Sequence, residues 1–220
     1  MIDRLMAILD HPWIAIWMSP RETMRRIVNR DPGHQIIIIA AAAGGLATLD
    51  LALSAALGVG PSLLPPALVP YLPVWTFLSA FIGAGLGIVA IYVGGSLFQW
   101  AGYFMGGVGD AREVRAATAW ALVPQIWFAV VILALLLATG VLQALYQALP
   151  PADPGDALAA AKGFTVERGA ATIIGVWSFI VFLHCLGEVH RFSAWRSLGA
   201  FLLVVVALVL VTLSVRLVII

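Results

Sequence analysis

The chain has 220 residues, of which 62% are hydrophobic and only 10% are charged. Soluble domains usually carry about a quarter charged residues, so this composition argues against a water-soluble protein and indicates lipid as the solvent for much of the surface. The formal net charge of +1 argues against a nucleic-acid partner, and a single cysteine, Cys185, allows neither an intrachain disulfide nor a cysteine-based metal site.

Residues 1–34 are predicted to be cytoplasmic or interfacial amphipathic helices. Residues 2–9 show helical apolar spacing, and no small-residue cleavage site follows them, so we expect this segment to remain on the mature protein. The next helix has Ser19 as its expected N-cap, Pro20 at its first position and Glu22 completing a capping box. Its polar face fits membrane topology and anionic headgroups better than a dedicated partner site.

Residues 35–220 are predicted to form a five-helix transmembrane domain, because five apolar stretches are long enough to cross a bilayer. These spans cover about residues 35–57, 72–98, 124–148, 170–187 and 199–220. The second apolar stretch continues from Leu72 to Met105, or about 51 Å of helix, which exceeds a hydrocarbon core of about 30 Å. It must therefore tilt, kink near Gly94 and Gly95, or continue past the bilayer.

The loops and the positive charges set the predicted topology. Gly58 to Pro73 is expected to be a short extended loop, and Asp153 to Arg168 a polar loop with at most a short helix. Of the twelve Lys and Arg residues, nine fall on the side of the N-terminus and three on the other. We therefore expect a cytoplasmic N-terminus and an extracytoplasmic C-terminus in an inner membrane.

A charged turn, Gly106 to Arg115, follows the second span. Asp110 is the expected N-cap of a new helix, with Glu113 at the third helical position. Arg112 and Arg115 are then expected to be exposed on the first turns of that helix.

The letters Gly107-Val-Gly-Asp110 also match the GxGD of intramembrane aspartyl proteases. Such an enzyme needs a second aspartate close by, because one carboxylate must be protonated while the other is ionised. Asp50 is the only aspartate expected inside a span, about 22 Å beyond the cytoplasmic boundary at which Asp110 is predicted to lie. We therefore interpret Asp110 as a helix cap and expect no catalytic residue.

Asp50 is the most informative single residue, because a carboxylate inside a span is costly and is a functional candidate by default. Arg216 lies about 26 Å along the fifth span, at a similar predicted depth. We favour the hypothesis that the two form an intramembrane ion pair that locks the first span to the fifth. The alternative is that Asp50 binds protons or cations in a carrier.

His184, Glu188 and His190 form an H-x3-E-x-H string at the end of the fourth span. His184 and Glu188 share one helix face, whereas His190 points elsewhere, so the string makes an incomplete metal site. We expect a hydrogen-bonded polar patch here, with neither a metal nor a cofactor.

Small residues form a ladder along the second span and leave flat surfaces that another helix backbone can approach closely. The packing inside one bundle is favoured over a dimer interface, so a homo-oligomer remains the alternative. The predicted helix-packing residues are Ser79, Gly83, Gly87, Gly94 and Gly95.

Three stretches together resemble a bacterial member of the YIP1 family of polytopic membrane proteins: Ser19 to Arg25, Gly106 to Pro124, and Gly187 to Arg196. The resemblance covers nearly the whole chain and implies five helices and no enzymatic activity. Eukaryotic members act in vesicle traffic and bind Rab-type GTPases. This sequence lacks their long N-terminal region and their Asp-Leu-x-Gly-Pro signature, so the GTPase partner is not carried over.

We therefore expect an all-α, polytopic transmembrane helical bundle of five spans with an N-terminal interfacial amphipathic helical segment. The leading hypothesis is a non-enzymatic protein that organises the membrane or recruits protein partners at the cytoplasmic face. The alternative is a small solute or ion carrier or channel that uses Asp50 and the glycine-rich second span. The residues of the predicted contact surface are Arg21, Arg25, Arg26, Asp110, Arg112, Glu113, Arg115, Glu188, His190, Arg191 and Arg196.

Overall fold

The computed structural model describes residues 11–33, 35–56, 71–147 and 156–219. Every regular element in these ranges is a helix, so the predicted all-α class is confirmed. The predictions for residues 2–9, for most of the loop at 58–73 and for residues 153–155 lie outside the described residues. The helices are α1 (Pro12–Met18), α2 (Pro20–Arg30), α3 (Ile36–Ala56), α4 (Leu72–Phe104), α5 (Ala111–Trp120), α6 (Val123–Gln147), α7 (Asp156–Val189) and α8 (Ala194–Ile219).

Five stretches of the described residues are long and apolar enough to cross a membrane, which confirms the predicted number. Large apolar side chains remain exposed along them, such as Phe81 on α4 and Leu210 on α8. These surfaces are suited to lipid, and the chain is an integral membrane protein. The stretches are Ile36–Leu53, Val74–Phe104, Ala111–Leu135, Gly169–Val189 and Ala194–Leu217.

Helices α4 and α7 extend beyond the predicted second and fourth spans. Helix α4 runs without interruption to Phe104, so the second apolar stretch is one continuous helix. Helix α7 begins at Asp156, and the prediction of a polar loop up to Arg168 is wrong for this part of the chain. Four of residues 157–161 are alanine, the residue with the highest helix propensity, which explains why the helix extends past the apolar span.

Ser19 does not cap α2 through its side chain, so the predicted capping box is wrong. Its hydroxyl donates a hydrogen bond of 3.2 Å to the carbonyl of Ala15, and its backbone N–H donates to the same carbonyl at 2.9 Å. Ser19 is also the residue that ends α1, and its hydroxyl bonds a carbonyl in the last turn of that helix instead of an N–H of α2. Pro20 still occupies the first position of α2, as expected from its fixed φ.

The chain divides into two compact units. The first contains the described parts of residues 1–39, 89–123 and 178–220, and the second contains those of residues 40–88 and 124–177.

In the second unit, α3 and α4 approach each other closely at small residues. A Cβ on Gly87 would meet the Ala40 carbonyl and lie 3.0 Å from the Gly44 Cα, and a Cβ on Gly83 would meet the Gly44 carbonyl. The Thr48 hydroxyl donates to the Ser79 carbonyl at 2.8 Å. This part of the ladder therefore packs within the chain, where absent side chains allow backbone contact.

In the first unit, a cluster of four phenylalanines joins α4, α7 and α8. Phe98 lies 4.8 Å from Phe182 and Phe179 lies 4.8 Å from Phe201, between ring centroids. Such tilted and edge-to-face pairs stabilise a core beyond the apolar area that they bury. The cluster fixes the ends of three helices beside one another.

The same unit contains the two short N-terminal helices, and α2 packs against α1 and α5. Met24 and Ile27 of α2 are buried while Arg25 and Arg26 are exposed, as its amphipathic pattern predicts. Trp13 of α1 meets Trp120 of α5 edge-on at 5.9 Å. The N-terminal segment is therefore attached to the protein through its apolar face.

We predict that Gly87→Ala destabilises the protein while Gly85→Ala does not. The added methyl group at residue 87 meets the backbone of α3, and such overpacking costs about 1–3 kcal/mol. At residue 85 nothing lies within 4 Å, and the higher helix propensity of alanine contributes up to about 1 kcal/mol. Thermal unfolding of both variants in one detergent checks this, and equal melting temperatures would contradict the close packing.

Candidate functional site

The turn between α7 and α8 is built by a helix-ending Schellman motif. The Phe192 N–H donates to the Gly187 carbonyl at 2.9 Å, and the Arg191 N–H donates to the Glu188 carbonyl at 3.2 Å. Arg191 adopts a left-handed conformation with φ of 57°, where glycine is the usual residue. The Arg191 side chain is exposed in this turn.

Helix α4 ends in the same way. The Gly107 N–H donates to the Gly102 carbonyl at 2.8 Å, and the Gly106 N–H donates to the Tyr103 carbonyl at 3.0 Å. Gly106 takes the left-handed position with φ of +81°, which glycine adopts without strain. The two helices therefore finish in matching turns within the first unit.

His190 lies between these two turns. Its Nδ1 accepts a hydrogen bond of 3.2 Å from the Gly109 N–H, and its ring stacks on Phe192 at 5.2 Å. A Cβ on Gly102 would collide with Cε1 and Nε2 of the ring, and one on Gly107 would lie 2.7 Å from the histidine Cβ. The absent side chains of α4 and its turn therefore make the space that the imidazole fills.

The prediction that His190 belongs to an exposed contact surface is wrong, because its side chain is only 1% exposed. Burial lowers the pKa of His190, and the backbone of Phe98 opposes this shift in part. The neutral imidazole is thus favoured, with its Nδ1 free to accept the Gly109 hydrogen bond.

Helix α2 is attached to the α7–α8 turn by two arginines. Arg25 Nε donates to Glu188 Oε1 at 2.7 Å in a salt bridge, and Arg21 Nη2 donates to the Phe192 carbonyl at 3.0 Å. Gly187 permits this approach, since a Cβ there would lie 2.9 Å from Arg21 Nη2. Two segments more than 160 residues apart in the chain thus meet through charged side chains.

The predicted capping box at the start of α5 is present. The Asp110 carboxylate accepts a hydrogen bond of 2.8 Å from the Glu113 N–H, and the Glu113 carboxylate accepts one of 3.2 Å from the Asp110 N–H. Both donors would otherwise be unpaired at the helix start. Asp110 is therefore held as a structural cap.

Arg112 and Arg115 differ in exposure, although both were predicted to be exposed. Arg112 is exposed. The stem of Arg115 packs where a Cβ on Gly95 would lie 2.7 Å from its Cγ, and its guanidinium lies 4.6 Å from the centre of the Tyr92 ring. This cation–π contact half-buries Arg115, and neither Gly95 nor Tyr92 was recognised in the sequence as its neighbour.

Two cavities open on the face formed by α2 and the turns that follow α4 and α7. The first, the mixed-charge cavity, has a volume of about 390 Å³. Basic and acidic side chains line it together: Arg25, Arg191, Asp110, Glu113 and Glu188. The second, the arginine groove, has a volume of about 770 Å³ and is lined by Arg21, Arg25, Arg191, Arg196, Glu188 and Ser193.

Most of the predicted contact surface is thereby brought together. Arg26 is paired instead with Glu22 at 3.8 Å on the exposed side of α2, and it lines neither cavity. The sequence pattern missed Asn29 and Val108 in the mixed-charge cavity and Ser193 in the arginine groove. Val108 and Ser193 lie within stretches that carry the family resemblance, but no pattern singles out any of the three residues, and only the tertiary fold places them there.

The H-x3-E-x-H string does not form one site. Glu188 pairs with Arg25, whereas His190 packs against Gly102 and Gly107. Among the residues that the structure describes, no three His, Cys, Asp or Glu side chains are placed to hold a metal ion.

Asp50 and Arg216 belong to different units, so their ion pair stays a prediction. Asp50 Oδ1 is enclosed on α3, and it accepts no hydrogen bond from the described part of the chain.

Of the remaining predicted packing residues, Gly94 has only a distant neighbour, at 4.0 Å from a Cβ placed on it.

A family model described as the Yip1 domain matches residues 14–215. The chain belongs to the Yip1 family. No curated protein and no solved structure matches it.

In this Yip1-family chain, parts of the three stretches that carry the resemblance meet in one unit. Ser19 to Arg25 supplies Arg21 and Arg25, Gly106 to Arg115 supplies the α4–α5 turn, and Gly187 to Arg196 supplies the α7–α8 turn. They are far apart in the chain, yet all three line the mixed-charge cavity, and the first and third also line the arginine groove. This convergence marks the face as the candidate site of the Yip1 domain.

We predict that His190 makes the stability of the Yip1 domain pH-dependent. The folded state favours the neutral ring, whereas the unfolded chain takes up a proton at about pH 6.5. This stabilisation is therefore present above that pH and is lost as the pH falls below it, by at most about 1.4 kcal/mol for each pH unit. Thermal unfolding between pH 7.5 and 5.5 should show a smaller loss of stability in His190→Gln than in the unchanged protein.

The matched control is His11→Gln, because His11 is exposed. It should retain the pH dependence of the unchanged protein. An equal slope in all three proteins would assign the effect to another group.

Proposed function

We propose that this Yip1-family protein recruits protein partners, without enzymatic activity, at the face formed by α2, the α4–α5 turn and the α7–α8 turn. The observation that carries the proposal is the convergence of these three segments around the mixed-charge cavity and the arginine groove. A surface held in place by Arg25–Glu188 and by the buried His190 can present charges to a partner with little loss of conformational freedom on binding.

The chemistry of the face suits a partner with its own mixed charges. Exposed Arg191 stands beside Asp110 and Glu113 in one cavity, so a partner would gain from opposite charges at both. Charge complementarity of this kind gives specificity and orientation more than raw affinity. The bias of nine Lys and Arg residues to three supports a cytoplasmic position for the face in an inner membrane.

We predict that Arg112→Glu and Arg191→Glu each change the set of proteins that co-purify with the chain. The yield of at least one co-purifying protein should fall by about tenfold, because reversing a charge at an interface can cost more than 1 kcal/mol of binding free energy. Quantitative mass spectrometry after crosslinking in cells measures this. Lys162→Glu is the control, since the predicted topology puts it on the opposite side. An identical set of co-purifying proteins in all variants would refute partner recruitment at this face.

A second function, transport of a small solute or ion, is supported by one observation. The enclosed Asp50 Oδ1 has no hydrogen-bond donor among the described residues, and a carboxylate left in that state inside a span is costly. Binding a proton or cation would remove the cost. The same cost would be removed by the predicted pairing with Arg216.

We predict coupling between Asp50→Asn and Arg216→Gln in thermal unfolding. If the residues pair, the second substitution should cost less than it does alone, by about 0.5–3 kcal/mol, because its partner charge is already absent. Additive effects would contradict the pair. Proton and cation flux in reconstituted vesicles completes the test, since a carrier should lose flux in Asp50→Asn and retain it in Arg112→Glu.

A further inference from the structure

The arginine groove lies between two spans. Its residues from Glu188 to Arg196 join the apolar stretch that ends at Val189 to the one that begins at Ala194. A connection of this kind lies at the level where the acyl region of a bilayer gives way to its headgroups. Trp195, next to Arg196, is 81% exposed, and tryptophan is enriched at that boundary.

The charge of the groove is unbalanced. Four arginines line it with a single acidic residue, Glu188, and Glu188 is bound to Arg25 at 2.7 Å. Arg191 and Arg196 are exposed and form no salt bridge with the residues that the structure describes. Two guanidinium groups are therefore available, one on the left-handed residue of the Schellman turn and one on the first turn of α8.

Arginine matches phosphate in geometry as well as charge, because its planar fork can donate two parallel hydrogen bonds. Ser193, also exposed in the groove, adds a hydroxyl donor. We propose that the arginine groove binds the phosphate-bearing headgroup of an anionic lipid, with Arg191 and Arg196 as its principal ligands.

Two features favour a lipid over a soluble phosphate: the arginines are exposed to solvent, and the groove lies at the depth of the lipid headgroups. Exposed charges in water attract a free anion weakly, and salt screens them. A lipid headgroup is already held at this level by its acyl chains, so its effective concentration is high. Helix α8 continues from the groove with exposed apolar side chains, including Leu202 and Val206, which suit acyl chains.

The test uses the purified full-length chain in a zwitterionic detergent, with no other protein present. Its probes are dihexanoyl-phosphatidylglycerol, dihexanoyl-phosphatidylcholine and inorganic phosphate, and binding is measured by thermal shift and native mass spectrometry. We expect the anionic lipid to bind and to raise the melting temperature, and the other two probes to do neither at the same concentration.

The test variant is Arg191→Asn with Arg196→Gln, since asparagine tolerates the left-handed backbone at residue 191. It should bind the anionic lipid about 30-fold more weakly, because an exposed ion pair contributes up to roughly fivefold in affinity for each arginine removed. The control, Arg26→Gln with Arg112→Gln, removes the same charge outside the groove and should change the affinity less than threefold.

Equal loss in the test and control variants would overturn the proposal, since it would show only general attraction to positive charge. Binding of phosphatidylcholine as strong as that of phosphatidylglycerol would also overturn it. If inorganic phosphate binds as tightly as the anionic lipid, the proposal of a lipid ligand is wrong and the groove binds a soluble anion. The single variant Arg196→Gln, whose backbone is helical, repeats the measurement if the double variant does not fold.

The proposal goes beyond partner recruitment and does not rest on it. The lipid measurements contain no partner, and the partner test includes Arg112, which lies outside the groove. The two can therefore fail independently.

Discussion

The hydrogen bond from the Gly109 N–H to His190 Nδ1 joins the two turns on which the candidate site depends. The ring lies against glycines, and a side chain at residue 102 or 107 would collide with it. On either side of it, the α4–α5 turn carries the Asp110 cap and the α7–α8 turn carries Glu188 and Arg191. The positions of the charged residues thus follow from an imidazole ring packed against glycine backbone.

Local features of the site could be predicted from the sequence, and long-range ones could not. The Asp110–Glu113 capping box is encoded within four residues and is present as predicted. The five spans follow from apolar length alone. Burial of His190 depends instead on Gly102 and Gly107, whose distance in the chain hides the relation.

The wrong predictions have physical causes of the same kind. Ser19 has two helix ends within reach, and its hydroxyl bonds the end of α1, a choice that spacing rules do not decide. Arg115 is drawn over Tyr92, although charge alone predicts an exposed side chain. Residues 156–168 are helical rather than a polar loop, because the helix propensity of their alanines outweighs the polarity of the stretch.

Arg191 stands in a left-handed backbone conformation that favours glycine by about 1 kcal/mol. Stability and charge therefore oppose each other at one position. Selection for thermal stability alone would replace this arginine by glycine, whereas selection on the groove would keep it. In laboratory evolution, glycine at residue 191 would therefore indicate selection for thermal stability, and arginine would indicate selection on the groove.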